Sequence, residues 1–121
     1  MLLAYGYESF KISMLLLFGD VIFGKEAVKA NYILVKTRIS SYVCFDSTEI
    51  KHVEILKNFK EYWAVTEVDK LGGGHLWINF RNKTVVIDKE SSSYFGKDDK
   101  ELSKEVIENN LEEIGWKVEI E

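Results

Sequence analysis

Two stretches of this chain repeat apolar residues at the helical spacing of three and four, while the stretch between them alternates at the strand spacing of two. This order of periods constrains the fold most. In the first stretch His52, Ile55, Leu56, Phe59, Tyr62 and Trp63 share one arc of a helix, with Glu54, Lys57, Asn58 and Glu61 opposite. Asp46, Ser47, Thr48 and Glu49 have the acceptor-then-Glu spacing of a capping box, so this helix is expected to start there and run to about Trp63. In the second stretch Leu102, Val106, Ile107, Leu111 and Ile114 form the apolar side of a helix that begins near Asp98 or Asp99 and stops at Gly115. Between the two, residues 75–80 and 84–89 are β-prone runs joined by Arg81, Asn82 and Lys83, the pattern of a hairpin. Gly72, Gly73 and Gly74 precede it and read as a flexible connection or a tight turn.

Strand signals flank these elements. Ile33, Val35, Thr37 and Ile39 alternate with other residues, residues 42–45 are β-prone, and at the end Trp116, Val118 and Ile120 alternate with Lys117, Glu119 and Glu121. The order strands, helix, hairpin, helix, strand lacks the regular βαβ alternation of a doubly wound fold. It predicts an α+β class, one domain over residues 1–121 whose single antiparallel or mixed sheet carries about two main helices on one face.

Residues 12–24 are apolar apart from a few positions, Gly19 and Asp20 among them, and read either as a buried helix or as a hairpin turning there. The run is shorter than the roughly 20 residues that span a bilayer. Glu8 and a single Lys11 ahead of it are unlike the basic lead of a signal peptide, so neither an anchor nor a secretion signal is expected. Cys44 is the sole cysteine, which excludes an intrachain disulfide and every multi-cysteine zinc motif and fits a cytoplasmic compartment.

Local chemistry is sparse. Cys44 lies in a β-prone run, where a buried strand cysteine is the ordinary reading and a nucleophile paired with His52 or His75 the rarer one. His52 sits within the apolar arc and reads as a core histidine with one satisfied nitrogen. The triple glycine leads into a strand rather than a helix and lacks the Lys-Ser/Thr pair of a phosphate loop. Two histidines at positions 52 and 75 make no zinc motif, and Asp98 and Asp99 lack the ligand spacing of a calcium loop, so no metal or cofactor is expected.

Charge placement says more. The net charge of −4 argues against a nucleic-acid binder, which needs a basic excess to neutralise phosphates. It is unevenly spread, since residues 98–121 hold nine acids against three lysines. On the second helix Asp98, Glu101, Glu105, Glu108 and Glu112 share an arc opposite the apolar side. Like charges at i, i+4 cost a few tenths of a kcal/mol per pair, and Glu112 and Glu113 lie at the wrong end of the helix dipole. A solvated face is the plain reading of such a stripe. The sharper one is a docking surface for a basic protein, with Tyr94 and Phe95 in the preceding loop as aromatic anchors and Trp77 or Trp116 beside them.

The hairpin from Leu76 to Asp88, followed by a Glu-rich helix in a small acidic chain, resembles bacterial immunity proteins that neutralise secreted toxins, including those of contact-dependent growth inhibition. The resemblance covers the chain from the hairpin onward, rests on no diagnostic motif and transfers no residue by position. It implies a non-enzymatic antitoxin that binds a cognate toxin domain, often a basic nuclease. Two other classes stand beside it. One is a small hydrolase or ligand-binding domain with a pocket lined by Tyr5, Tyr7, His52 or His75. The other is a structural homo-oligomer, such as a homodimer, built through the edge of the C-terminal strand.

Overall fold

The computed structural model describes residues 3–4, 27–111 and 115–121. Six strands, β1 (Leu3–Ala4), β2 (Ala27–Lys36), β3 (Ser41–Ser47), β4 (Asp69–Asn79), β5 (Thr84–Ile87) and β6 (Lys117–Ile120), form one sheet in the order β1-β3-β2-β4-β5-β6. Helix α1 (His52–Trp63) follows β3, and α2 (Lys100–Leu111) lies between β5 and β6. Neighbouring strands are antiparallel except β5 and β6, which run parallel because the connection through α2 returns the chain to the same end. The sheet is mixed and the class is α+β, as expected.

The helices lie on opposite faces rather than on one. Ile33, Val35, Tyr42 and Cys44 pack with Ile55, Leu56 and Phe59 of α1. The alternate residues Tyr32, Leu34, Val43 and Phe45 pack with Val106, Ile107 and Leu111 of α2. Central strand β2 is therefore buried on both faces from Ala30 to Val35, which erases the polar/apolar alternation a one-sided strand would show. Each fully buried Leu, Ile or Phe contributes about 1.5–3 kcal/mol relative to exposure. The expected strand also ends early. Ile39 is 80% exposed in the β2–β3 connection, where the Thr37 hydroxyl accepts from the amides of Ile39 and Ser40 and turns the chain.

The capping-box expectation fails for a local reason. Asp46 and Ser47 still belong to β3, and their side-chain oxygens accept from the backbone amides of Ser47 and Glu49, so they shape the turn instead of a helix start. Asn31 of β2 holds that turn by donating to the carbonyls of Thr48 (3.3 Å) and Ile50 (2.9 Å). Helix α1 then begins at His52 with no side-chain cap, and closes where Ala64 adopts a left-handed conformation and Val65 donates to the Lys60 carbonyl.

The triple glycine is not a loop. Gly72, Gly73 and Gly74 lie inside β4, opposite Leu34, Ile33 and Tyr32, and the segment 91–98 is laid directly over them. Lys97 bridges to Gly73 in parallel, which gives β4 a neighbour where β5 does not reach. The hairpin follows as expected, with Lys83 in a left-handed conformation and the Asn79 side chain accepting from the Asn82 amide. Residues 12–24, Tyr5, Tyr7, Glu112, Glu113 and Ile114 lie outside the described residues.

Candidate functional site

Helix α2 is started by Asp99, whose carboxylate accepts from the amides of Glu101 (3.1 Å) and Leu102 (3.2 Å) and so occupies two otherwise unpaired donors. From there the helical phase puts Ser103, Val106, Ile107 and Leu111 against the sheet. Glu101 and Glu105 are exposed and Glu108 half-exposed. Together with Asp99, Leu102 and Lys104 they line a shallow groove along the outer side of α2. Lys104 is its single basic side chain, and it lies 3.6 Å from Glu108 in an i, i+4 pair.

Asp98 departs from the expected stripe. It precedes the capping residue, so the helical phase that was extended back to it does not apply. Its carboxylate points inward, is fully buried, and accepts from the Tyr32 hydroxyl (3.1 Å) and the Ser103 hydroxyl. Lys100 also turns inward. Its ammonium pairs with Asp98 and donates to the Tyr32 oxygen (2.9 Å) and the Gly73 carbonyl (3.3 Å), which uses all three of its protons. Burial, and then the adjacent Asp98 carboxylate, push the Tyr32 hydroxyl well above the ordinary tyrosine range, so it stays protonated and keeps donating. This closed network holds α2 on the sheet and withdraws one anion and one cation from the surface together. The exposed strip is left with Asp99, Glu101, Glu105 and Glu108.

The aromatic residues do not flank that strip. Phe95 packs on the α1 side of the sheet under the Lys70 ammonium (5.4 Å from the ring), with Tyr94 edge-on to it and 81% exposed. Trp116 is buried edge-on against Phe80 in the α2-side core and offers no anchor. Trp77 is 45% exposed, but Leu76 and Ile78 on either side of it face α2, so it points away from the strip, beside Lys29.

The structure also brings together two residues that sequence spacing kept apart. His52, the first residue of α1, and His75 of β4 meet edge-to-face with ring centroids 5.8 Å apart. His52 Nε2 contacts the Gly74 carbonyl at 2.9 Å, the single satisfied nitrogen expected of it. His75 Nδ1 is buried without a hydrogen-bond partner among the described residues. Desolvation, followed by the charges of Lys29 and His52, lowers the His75 pKa below its ordinary 6.5, against a smaller opposing pull from Asp88. The unfolded chain therefore binds a proton near pH 6.5 that the folded chain resists. The resulting stability is present above pH 6.5 and is lost as pH falls. Urea midpoints at pH 7.5, 6.5 and 5.5 should fall for the wild type and fall less for His75→Asn. Equal slopes for the two proteins would dismiss His75 as the cause.

No group of three or more His, Cys, Asp or Glu among the described residues is arranged to hold a metal ion. Cys44 is buried mid-strand between Ala4 and Ile33, and burial pushes its thiol up, away from the reactive thiolate. A second groove, lined by Arg38, Ile39 and residues 64–67, contains no histidine, and neither does the groove on α2. No helix among the described residues is long and apolar enough to cross a membrane. The chain matches no known family, and no curated protein resembles it in sequence.

Proposed function

We propose that this chain is a cytoplasmic, non-enzymatic binding protein that docks a basic protein surface on the acidic strip of α2, in the manner of an immunity protein that neutralises a toxin domain such as a nuclease. One observation carries the reading: Asp99, Glu101, Glu105 and Glu108 share one exposed groove with a single lysine, Lys104. An unbalanced negative strip on a helix anchored by a buried ion pair is a preformed electrostatic surface. Such surfaces raise association rates by about ten- to a thousandfold and reject acidic competitors.

The partner is sought first as the product of the neighbouring gene, expressed as a separate domain. Its association with the wild type, followed by stopped flow, should slow at least tenfold between low salt and about 0.5 M salt. A variant with Glu101, Glu105, Glu108 and Glu112 all changed to Gln should start at the slow rate and show little salt dependence. An association rate that is the same for both proteins removes the strip from the interface.

A further inference from the structure

Strand β6 closes one edge of the sheet, and among the described residues it is paired only with β5. Its backbone toward β5 is fully used. Lys117 donates to the Lys83 carbonyl, Glu121 donates to that of Ile87, and the Glu121 carbonyl accepts from Lys89. Because successive residues of a strand point their amides and carbonyls to opposite sides, those of Val118 and Ile120 face away from β5, toward an edge that no described strand pairs. The side chains alternate as well. Val118 is buried on the α2 side, whereas Lys117 and Glu119 are exposed on the α1 side.

We propose that this edge pairs antiparallel with β6 of a second copy of the chain, about a twofold axis through Val118. In that register the two Val118 residues exchange N–H···O=C bonds, and each Ile120 amide faces the partner copy's backbone at position 116. There the carbonyl is the group free to accept, since the Trp116 amide is committed to Leu111. Lys117 of each copy then stands opposite Glu119 of the other. The cross-strand row Lys29, Trp77, Val86, Glu119 thus continues onto an opposite charge instead of ending in solvent. Shifting the axis to Glu119 would set that carboxylate against its own copy, so charge complementarity selects the Val118 register. The pairing uses the strand edge and the α1-side charges, and is independent of a partner on α2.

The test is sedimentation equilibrium of the untagged full chain between about 1 and about 500 μM, where a mass-action dimer must show a concentration-dependent mass. The wild type is expected to approach dimer mass at the upper end. Lys117→Glu and Glu119→Lys should each weaken association about tenfold or more, and the double reversal should restore it. Both side chains are exposed, so the far-ultraviolet circular dichroism of all three variants should match the wild type. A wild type that stays monomeric over the whole range overturns the proposal without reference to any variant. So does a dimer indifferent to the single reversals, or a double reversal that stays weak.

Discussion

Asp98→Ala should lower the folding stability by about 3–5 kcal/mol, the usual consequence of removing one partner from a buried ion pair. The truncation leaves the Lys100 ammonium in the interior with only the Tyr32 oxygen and the Gly73 carbonyl for company. It also strips the Ser103 hydroxyl of its acceptor and leaves the Tyr32 proton without one, and each unsatisfied buried group costs a further share. The pair itself is not the source of stability, because desolvating two charges offsets most of their attraction. A double variant, Asp98→Ala with Lys100→Met, removes the stranded cation and should be less destabilised than Asp98→Ala alone. The cycle should show coupling of roughly 0.5–3 kcal/mol between the two positions. Urea unfolding monitored by tryptophan fluorescence measures the four proteins of the cycle: the wild type, Asp98→Ala, Lys100→Met and the double variant. An Asp98→Ala midpoint indistinguishable from the wild type would mean that water reaches Lys100 and that the network does not anchor α2.

That network was the least legible part of the chain. The apolar phase of α2, the hairpin and the closing strand could be read from the sequence because their signals are local and each residue's role is set by near neighbours. Asp98 and Lys100 could not be read so. Their orientation depends on Asp99 being the cap, which places Asp98 just outside the helix, and on Tyr32 of the central strand lying beneath them. Helical phase alone therefore puts Asp98 among the exposed acids, whereas Glu101 and Glu105, well inside the helix, are exposed as their phase requires. The two-sided burial of β2 had a faint signal in the unbroken run from Tyr32 to Val35, which alternation alone could not interpret. The meeting of His52 with His75 had none, since it follows from strand register and from a helix that starts later than its capping signature suggests.

The same limit explains the glycines, and their substitution gives the second large expected effect. A glycine run reads as flexibility when only the chain is considered, but here it makes room. Gly73 has φ +155 within β4, and a Cβ there would overlap the Tyr32 carbonyl oxygen and lie 2.9 Å from Ile33 Cα, both backbone atoms of the central strand that have nowhere to go. Gly72, at φ +139, would place a Cβ 2.5 Å from the Asp98 Cβ and 2.6 Å from its Cα, lifting the buried carboxylate off the sheet. Gly73→Ala and Gly72→Ala therefore combine overpacking, about 1–3 kcal/mol, with a backbone conformation that an L residue rarely adopts, and each should lose about 3 kcal/mol or more. Gly74→Ala meets side-chain rather than backbone atoms, Ser91 Oγ and Lys100 Nζ and, at 3.1 Å, Ser91 Cβ; the first two can give at the expense of their hydrogen bonds, so its loss should be smaller. Gly96→Ala meets nothing within 4 Å, and its cost, about 1 kcal/mol, is the strain of φ +101 alone. The predicted ranking of urea midpoints runs Gly96→Ala highest, then Gly74→Ala, with Gly72→Ala and Gly73→Ala lowest. If all four fall together, flexibility rather than close approach is the common cause, and the segment over β4 is not seated where it is described.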